Sequence, residues 1–563
     1  MKRFVSTLLT AVLSLSLIAA CTPGETADTT TTAPAGNTSA PDPDDTDETT
    51  TEAPGTETED STEPSGDRIT LTALVATSPD SPADLNDITI LAEAEEELNI
   101  HIDWIGVSAG TAFDERKGIL LATDDLPDIF YSRITDSELA MYGAQGAFIP
   151  MEDLIAEHAP NLSAILDARP ELRAFNTAPD GHMYGVPKVS EGPWSAVPHV
   201  YGINVNWLEA LELDMPTDLQ SFEDVLVAFR DNDPNGNGVN DEVPMSFASG
   251  DNFQIAAFEY IFGALGLPVS GSMLDVEDGQ VYNVATSDKF FEGMKIVSRF
   301  YEEGLVDPEA LIMDHSQWVA KLNSDTSVMG VTPSWDFNDY IVDPDIRAEW
   351  DYMPALEGND GSDPIVVAPP TYGFFRGSGV ITRSNEHPEE TMRYIDYWFE
   401  RLNSYESIEG KIGERLHQYE DGSFEVLTSV LMRELGIEGD PMPRSASSLG
   451  FDGIWYVDAE QYTTELLLPT TDLKVEHIEN NLLPFADPEP WLPVFYTPEE
   501  SESIAIRQTD ITNLINRRAG EWVLNGVTDA DWEAFQAELI EIGIEEVTEI
   551  MQVAYDRYTS ESN

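Results

Sequence analysis

The densest run of potential metal ligands in the chain is Asp231-Asn232-Asp233-Pro234-Asn235-Gly236-Asn237-Gly238-Val239-Asn240-Asp241-Glu242. Hard oxygen donors crowded between glycines suit a small hard cation, and calcium accepts six to eight of them. Counted from Asp233, side-chain oxygens fall at the first, third and fifth positions (Asp233, Asn235, Asn237). Glycine stands at the sixth (Gly238), a backbone carbonyl at the seventh (Val239), and carboxylates at the ninth and tenth (Asp241, Glu242). Through the seventh position this follows the calcium-binding half of an EF-hand loop. Pro244 stands where the usual bidentate Glu would be, and Glu242 is placed to supply that carboxylate instead. A polar turn holding no ion is the alternative. One helix precedes the loop and no obvious partner helix follows, which favours a structural clip over a paired sensor.

Nucleophilic chemistry has one candidate. Gly106-Val107-Ser108-Ala109-Gly110 matches the G-x-S-x-G elbow of esterases and stands between a strand and a helix. It follows only the second strand, however, and none of the eight histidines is placed to identify itself as the base. A small-residue turn is the simpler reading. The sequence contains no H-E-x-x-H zinc motif, no G-x-x-x-x-G-K-[ST] phosphate loop and no G-x-G-x-x-G nucleotide turn. With 105 Asp and Glu, carboxylate pairs at glycosidase-like separation arise by chance, so none can be assigned as catalytic.

Aromatic residues inside Gly- and Pro-rich connections point to binding. A ring covers the apolar C–H face of a sugar, while fixed amides, carboxylates and guanidinium groups satisfy its hydroxyls. Trp194 and Tyr201 flank a crossing near Pro198-His199, and Trp335 lies in Thr332-Pro333-Ser334-Trp335-Asp336. Tyr372, Phe374 and Arg376 follow Ala368-Pro369-Pro370, and Trp455 lies in Phe451-Asp452-Gly453-Ile454-Trp455-Tyr456. With Asp336 and Asp452 as hydroxyl acceptors, these are the candidate ligand-binding residues. For any single ring, packing in a core is an equal alternative. Trp522, Trp532 and Tyr555 sit in periodic helical sequence and are expected to pack.

The elements that position these groups begin at Arg68. Arg68 to Ala76 reads as a strand, Leu85 to Asn99 as a helix, Ile100 to Val107 as a second strand, a helix starts at Thr111, and Ile129-Phe130-Tyr131 is a third strand. That rhythm is the one of an α/β domain with a mainly parallel sheet covered by helices. Helices are expected at 222–230, 253–265 and 289–303, then a strand at 379–382 and a helix at 388–402. Pro498 to Tyr558 reads as helical apart from a turn at Asn525-Gly526. No internal repeat is apparent.

Before this body lies an address. Met1-Lys2-Arg3 precedes an apolar run from Phe4 to Ala20, the order of a secretory signal and marginal in length for a span. It ends Ala19-Ala20-Cys21, and Cys21 is the only cysteine of 563 residues. The pattern resembles a bacterial lipoprotein signal, which implies acylation of Cys21 and anchoring at the extracellular face of the cell membrane. An ordinary cleaved signal with an incidental cysteine is the alternative. Residues 22–67 carry thirteen acidic groups and no basic one among Thr, Pro, Ser, Gly and Ala, the composition of a disordered tether. From Arg68 onward, 92 acidic residues stand against 26 basic ones, a net charge of −66. Such a surface excludes nucleic acid as a partner and repels anionic membranes.

Several motifs in order carry a resemblance. Asp180-Gly181-His182-Met183-Tyr184-Gly185-Val186-Pro187, Tyr201-Gly202-Ile203-Asn204, Trp207-Leu208-Glu209-Ala210-Leu211, Met215-Pro216-Thr217 and the Asp/Asn loop are followed near the end by three more. These are Tyr496-Thr497-Pro498-Glu499-Glu500, Gly520-Glu521-Trp522-Val523-Leu524-Asn525-Gly526 and Ala554-Tyr555-Asp556-Arg557-Tyr558. From about residue 69 to 558 the chain resembles the large extracellular solute-binding lipoproteins of ABC importers, the group with LplA-like and alginate-oligosaccharide-binding members. The resemblance implies a two-lobed, periplasmic-binding-protein-like fold of type II that closes over an oligosaccharide, docks on a permease and catalyses nothing. It implies a structural Ca2+ held by Asp233, Asn235, Asn237, the Val239 carbonyl, Asp241 and Glu242. A monomer is the expected working unit in this scheme. The expected layout is a signal at 1–20, lipidated cysteine and tether at 21–67, first lobe at 68–198, second lobe at 199–370, a return to the first lobe at 371–430, and mainly second lobe with C-terminal helices at 431–563. A secreted glycoside hydrolase or polysaccharide lyase, using the same aromatics, and a surface adhesion protein are the alternatives.

Overall fold

Ile69–Thr77 forms the first strand, β1, because its residues alternate onto two buried faces. Leu71, Ala73 and Val75 enter one core, Leu74 and Ala76 a second core on the opposite side of the sheet. β1 pairs in parallel with β2 (Ile100–Ser108) and β3 (Ile129–Phe130). Helices Thr89–Leu98 and Thr111–Thr123 make the crossovers, as the strand–helix rhythm predicts. The computed structural model describes residues 68–561 except 79, 198, 250–254, 342, 370–372 and 468–471. The signal, Cys21, the tether and Tyr372 therefore lie outside the described residues.

From β4 (Val186–Ser190) the chain passes into a second lobe. Its sheet runs β10-β5-β9-β6, built from β5 (Val200–Asn204), β6 (Val243–Met245), β9 (Met329–Ser334) and β10 (Trp350–Met353). The hairpin of β7 (Leu274–Glu277) and β8 (Gln280–Asn283) stands apart from that sheet. The chain then returns through β11 (Phe374–Ser378) and β12 (Val380–Ile381). β12 pairs antiparallel with β3 and completes the first sheet as β12-β3-β1-β2. Gly377 makes this return possible. Its φ is +71°, and a Cβ there would lie 1.8 Å from the Ile134 carbonyl oxygen, so only glycine fits.

The domain expectations need correction after residue 400. Pro388–Tyr397 is helical as predicted, but a second helix, Arg401–Glu409, replaces the expected end at 402. Residues 405–466 then form a small core of their own around Tyr405, Leu416, Phe424, Trp455 and Tyr462, with a sheet of β13 (Leu416–Gln418), β14 (Phe424–Val426) and β16 (Leu466–Leu467). Between them β15 (Tyr456–Val457) pairs in parallel with β4, which joins this segment to the first lobe rather than the second. With helix Asp472–His477, whose His477 stacks on Tyr352, the chain packs again with the second lobe, and Ile478 enters its core. Helices Pro498–Asn525, Asp529–Ile542 and Ile544–Glu561 cover that core, the second break falling at Gly543. Trp522 and Trp532 are buried in it and Tyr555 packs against it, as their helical spacing predicts.

Candidate functional site

A cleft of about 980 Å³ is lined from both lobes. The second lobe contributes Trp335, just after β9, and the exposed Asp339. The first lobe and its small appended core contribute Trp194, Phe375, Phe451, Trp455 and Tyr462. A polar cluster completes the wall: Glu409, Arg415 and Arg444. Arg444 Nη1 lies 3.7 Å from Glu409 Oε1, and burial pushes the Glu409 carboxyl up against the pull of both arginines. Arg415 lines the cleft, and its Nε is buried with no hydrogen-bond partner among the described residues. A second cavity of about 150 Å³ shares Trp335 and is lined by His199, Phe247, His315, Trp318 and Tyr340.

Of the sequence candidates, the structure brings Trp194, Trp335 and Trp455 to the cleft. Trp194 packs edge-on against Tyr462 at 4.5 Å. Trp335 is half-buried, and Trp455 shows only an edge, with 1% of its surface exposed and its indole Nε1 unpartnered among the described residues. Tyr201 is not there. It is fully buried on β5, stacks on Tyr260 at 3.9 Å and donates to the Ala257 carbonyl at 2.7 Å. Phe374 also misses, by one residue: strand alternation turns it onto Phe175 in the first-lobe interior and leaves Phe375 to the cleft.

The charged candidates are structural. Asp336 lies behind Trp335, accepting from the Tyr352 hydroxyl at 3.0 Å and capping the amide of Asn338 at 3.0 Å. Burial raises its carboxyl pKa, opposed first by Lys474. Asp452 is gripped by Arg133, whose Nε and Nη2 lie at 2.5 and 3.0 Å, and by Ser132 Oγ at 3.1 Å. Arg133 takes a left-handed φ of 62° beside this bidentate grip. Arg376 is sandwiched between Phe175 and Phe495, pairs with Asp136 and donates to the carbonyls of Phe175 and Pro493. Burial depresses its pKa, and its work is to fasten the 493–495 segment to the first lobe.

The cleft residues that sequence reasoning missed had uneven signals. Phe375 and Phe451 stand inside stretches already singled out, and strand phase would have chosen Phe375. Glu409, Arg415 and Arg444 gave none, since nothing local separates them from the other charges.

The Asp/Asn loop connects helix Leu219–Asp231 to β6 and turns at Gly236 and Gly238, with φ of +69° and +76°. Asp233 Oδ2 accepts the amide of Gly238 at 2.9 Å, Asn235 Oδ1 that of Asn237 at 3.0 Å, and Asn237 Oδ1 that of Val239 at 2.6 Å. Both oxygens of Glu242 are buried without a partner among the described residues, and burial with the nearby Asp233 and Asp241 pushes its carboxyl pKa up. One orphaned carboxylate, repelled by two neighbouring ones among oxygen donors, fits a hard cation. Among the described residues no three His, Cys, Asp or Glu side chains form a ready cluster. Ser108, the would-be nucleophile, ends β2 exposed and is not among the cleft-lining residues.

No protein-family model matches the chain. It is similar to the fructooligosaccharide ABC transporter substrate-binding protein FusA of Streptococcus pneumoniae serotype 4, 32% identical over 512 residues, 89% of this chain and 93% of the relative. The structure of FusA with kestose superposes with a TM-score of 0.77 over 87% of this chain and 100% of that one. A FusA EF-hand mutant with fructo-nystose has also been solved, at 31% identity and the same TM-score. Lipoprotein LipO of Bacillus subtilis is 24% identical over 390 residues, 65% of this chain and 70% of the relative. The alginate-binding protein AlgQ2, 22% identical with a TM-score of 0.68 over 88% of this chain and 100% of that one, shares the two-lobed fold. Identity of this degree across nearly the full length of FusA and this chain, carried on one fold, establishes that the chain belongs to the substrate-binding proteins of ABC transporters.

Proposed function

We propose that this protein captures a neutral oligosaccharide in the interlobe cleft and delivers it unaltered to the permease subunits of an ABC importer. The observation that carries the reading is the cleft: aromatic rings from both lobes around a volume suited to several sugar units, with Glu409, Arg415 and Arg444 in the wall. Fructooligosaccharides are the first ligands to consider, because FusA is named for them. The smaller cavity beside Trp335 is placed to take one terminal unit. In this scheme the protein works as a monomer at the extracellular face, anchored by lipid on Cys21, with calcium clipping the 233–242 loop. Its donors are Asp233, Asn235, Asn237, the Val239 carbonyl, Asp241 and Glu242. The overall charge of −77 repels acidic sugars and leaves a neutral ligand indifferent.

Titration calorimetry with kestose, nystose and other neutral oligosaccharides, followed by mass analysis of the recovered sugar, tests this. One site per chain is expected, with affinity nearly independent of salt and every chain recovered intact. Absence of binding across the panel, or shortened sugars, would overturn it.

A further inference from the structure

Two of the eight lysines in the sequence are buried behind the rings of the cleft, one in each lobe. Lys188, on β4, is 3% exposed. Its Nζ donates to the Phe451 carbonyl at 2.5 Å and lies 4.2, 4.4 and 5.5 Å from the ring centroids of Phe451, Trp455 and Phe375. Lys474, in helix Asp472–His477, is 1% exposed. Its Nζ donates to the Trp335 carbonyl at 2.6 Å and lies 3.8 Å from the centroid of that ring. Neither lysine lines the cleft. Of the acids that act on them, Asp452 is engaged by Arg133 and Asp336 by Tyr352, while Asp339 is exposed.

An ammonium removed from water and met by rings and a carbonyl is an expensive way to fill volume, since Met or Leu packs without that penalty. Here the two cations lie against four rings that line the cleft, Lys188 against three and Lys474 against one, and the attraction to their π faces is directional. A ring held in one orientation loses less entropy when a ligand stacks on it. We propose that Lys188 and Lys474 are positioning residues for ligand capture, each clamping the cleft-lining aromatic rings of its lobe from behind. The proposal rests on the cleft being the oligosaccharide site.

Burial lowers the Lys188 pKa to about 7, opposed by Asp452 and assisted by Arg133. It lowers Lys474 to about 8, opposed by Asp336 and Asp339, with the His199–Glu259 pair also within its field. Both amines are charged below these values and neutral above them, so the clamp fades as pH rises from 6 to 9. Fold stability moves the other way. The unfolded lysines keep their proton to about pH 10, so between pH 7 and 10 the unfolded chain binds more protons and stability rises with pH. Opposite slopes separate positioning from plain packing.

Near-UV circular dichroism of the sugar-free protein and calorimetry with kestose, both from pH 6 to 9, test the clamp on wild type, K188M and K474M. In the wild type, aromatic ellipticity and affinity are expected to fall together as pH rises. Each methionine variant is expected to bind at least tenfold more weakly at pH 6, to melt no lower than wild type there, and to give a flatter profile. K188R and K474R, which keep the charge, are expected to restore binding at pH 6 and hold it to pH 9. Wild-type ellipticity and affinity in both methionine variants at pH 6, or flat wild-type profiles, would overturn the proposal. If no oligosaccharide binds even the wild type, the ligand reading falls and the ellipticity decides the clamp alone. Should a methionine variant fail to fold, the wild-type profile still decides.

Discussion

Trp335→Ala is expected to weaken oligosaccharide binding by about 30-fold or more, with little change in melting temperature. A buried, ligand-facing tryptophan typically contributes at least ~2 kcal/mol when truncated, and each 1.4 kcal/mol is tenfold in affinity. Among the described residues Trp335 is the only ring shared by the cleft and the smaller cavity beside it, so its removal empties the contact at both. The fold is spared because Trp335 is half-buried and belongs to none of the hydrophobic cores, and Lys474 keeps its hydrogen bond to the backbone carbonyl. Trp335→Phe retains a stacking face and is expected to recover most of the loss. Calorimetry with kestose reads the affinity and scanning calorimetry the stability. Unchanged affinity in the alanine variant would remove Trp335 from the site.

Removing calcium is expected to lower the melting temperature of the second lobe by several degrees, with one calcium per chain retained through dialysis in its absence of chelator. An ion present at a thousand times its dissociation constant stabilises the native state by about 4 kcal/mol. The effect is assigned to the second lobe because the 233–242 loop leads directly into β6 of its sheet. Glu242 gives the pH dependence. Without the ion, its raised pKa means that the folded chain binds more protons than the unfolded one, so mild acidification stabilises the calcium-free protein through this group. With the ion bound, protons compete for the same carboxylate and acidification weakens the clip. The two forms should converge as pH falls from 7 to 5. Elemental analysis finding no calcium, or identical melting with and without chelator, would contradict the assignment.

The parts of the fold carried by local pattern were legible in the sequence. Ile69–Thr77 alternates between two faces, and the turn at Gly526 interrupts a helical period, so these elements could be read directly. Binding roles depended on facts the sequence does not carry locally. Phe374 and Phe375 are equally aromatic and adjacent, and the register of β11 against β4 decides which one reaches the cleft. Trp335 and Asp336 are neighbours too, yet the carboxylate turns inward because the Tyr352 hydroxyl waits there. Arg376 was drawn away by Asp136 and two carbonyls from distant segments. Glu409, Arg415 and Arg444 converge only because the 405–466 segment folds as a separate small core, which no spacing announces.

The most direct test of capture without chemistry is a crystal structure of the protein grown with kestose. The expected result is one intact trisaccharide between Trp335 and the rings of Phe375, Phe451 and Trp455, with its hydroxyls against the Arg415 and Arg444 side chains of the wall. Kestose bound elsewhere on the molecule, or a cleaved sugar in the cleft, would contradict it.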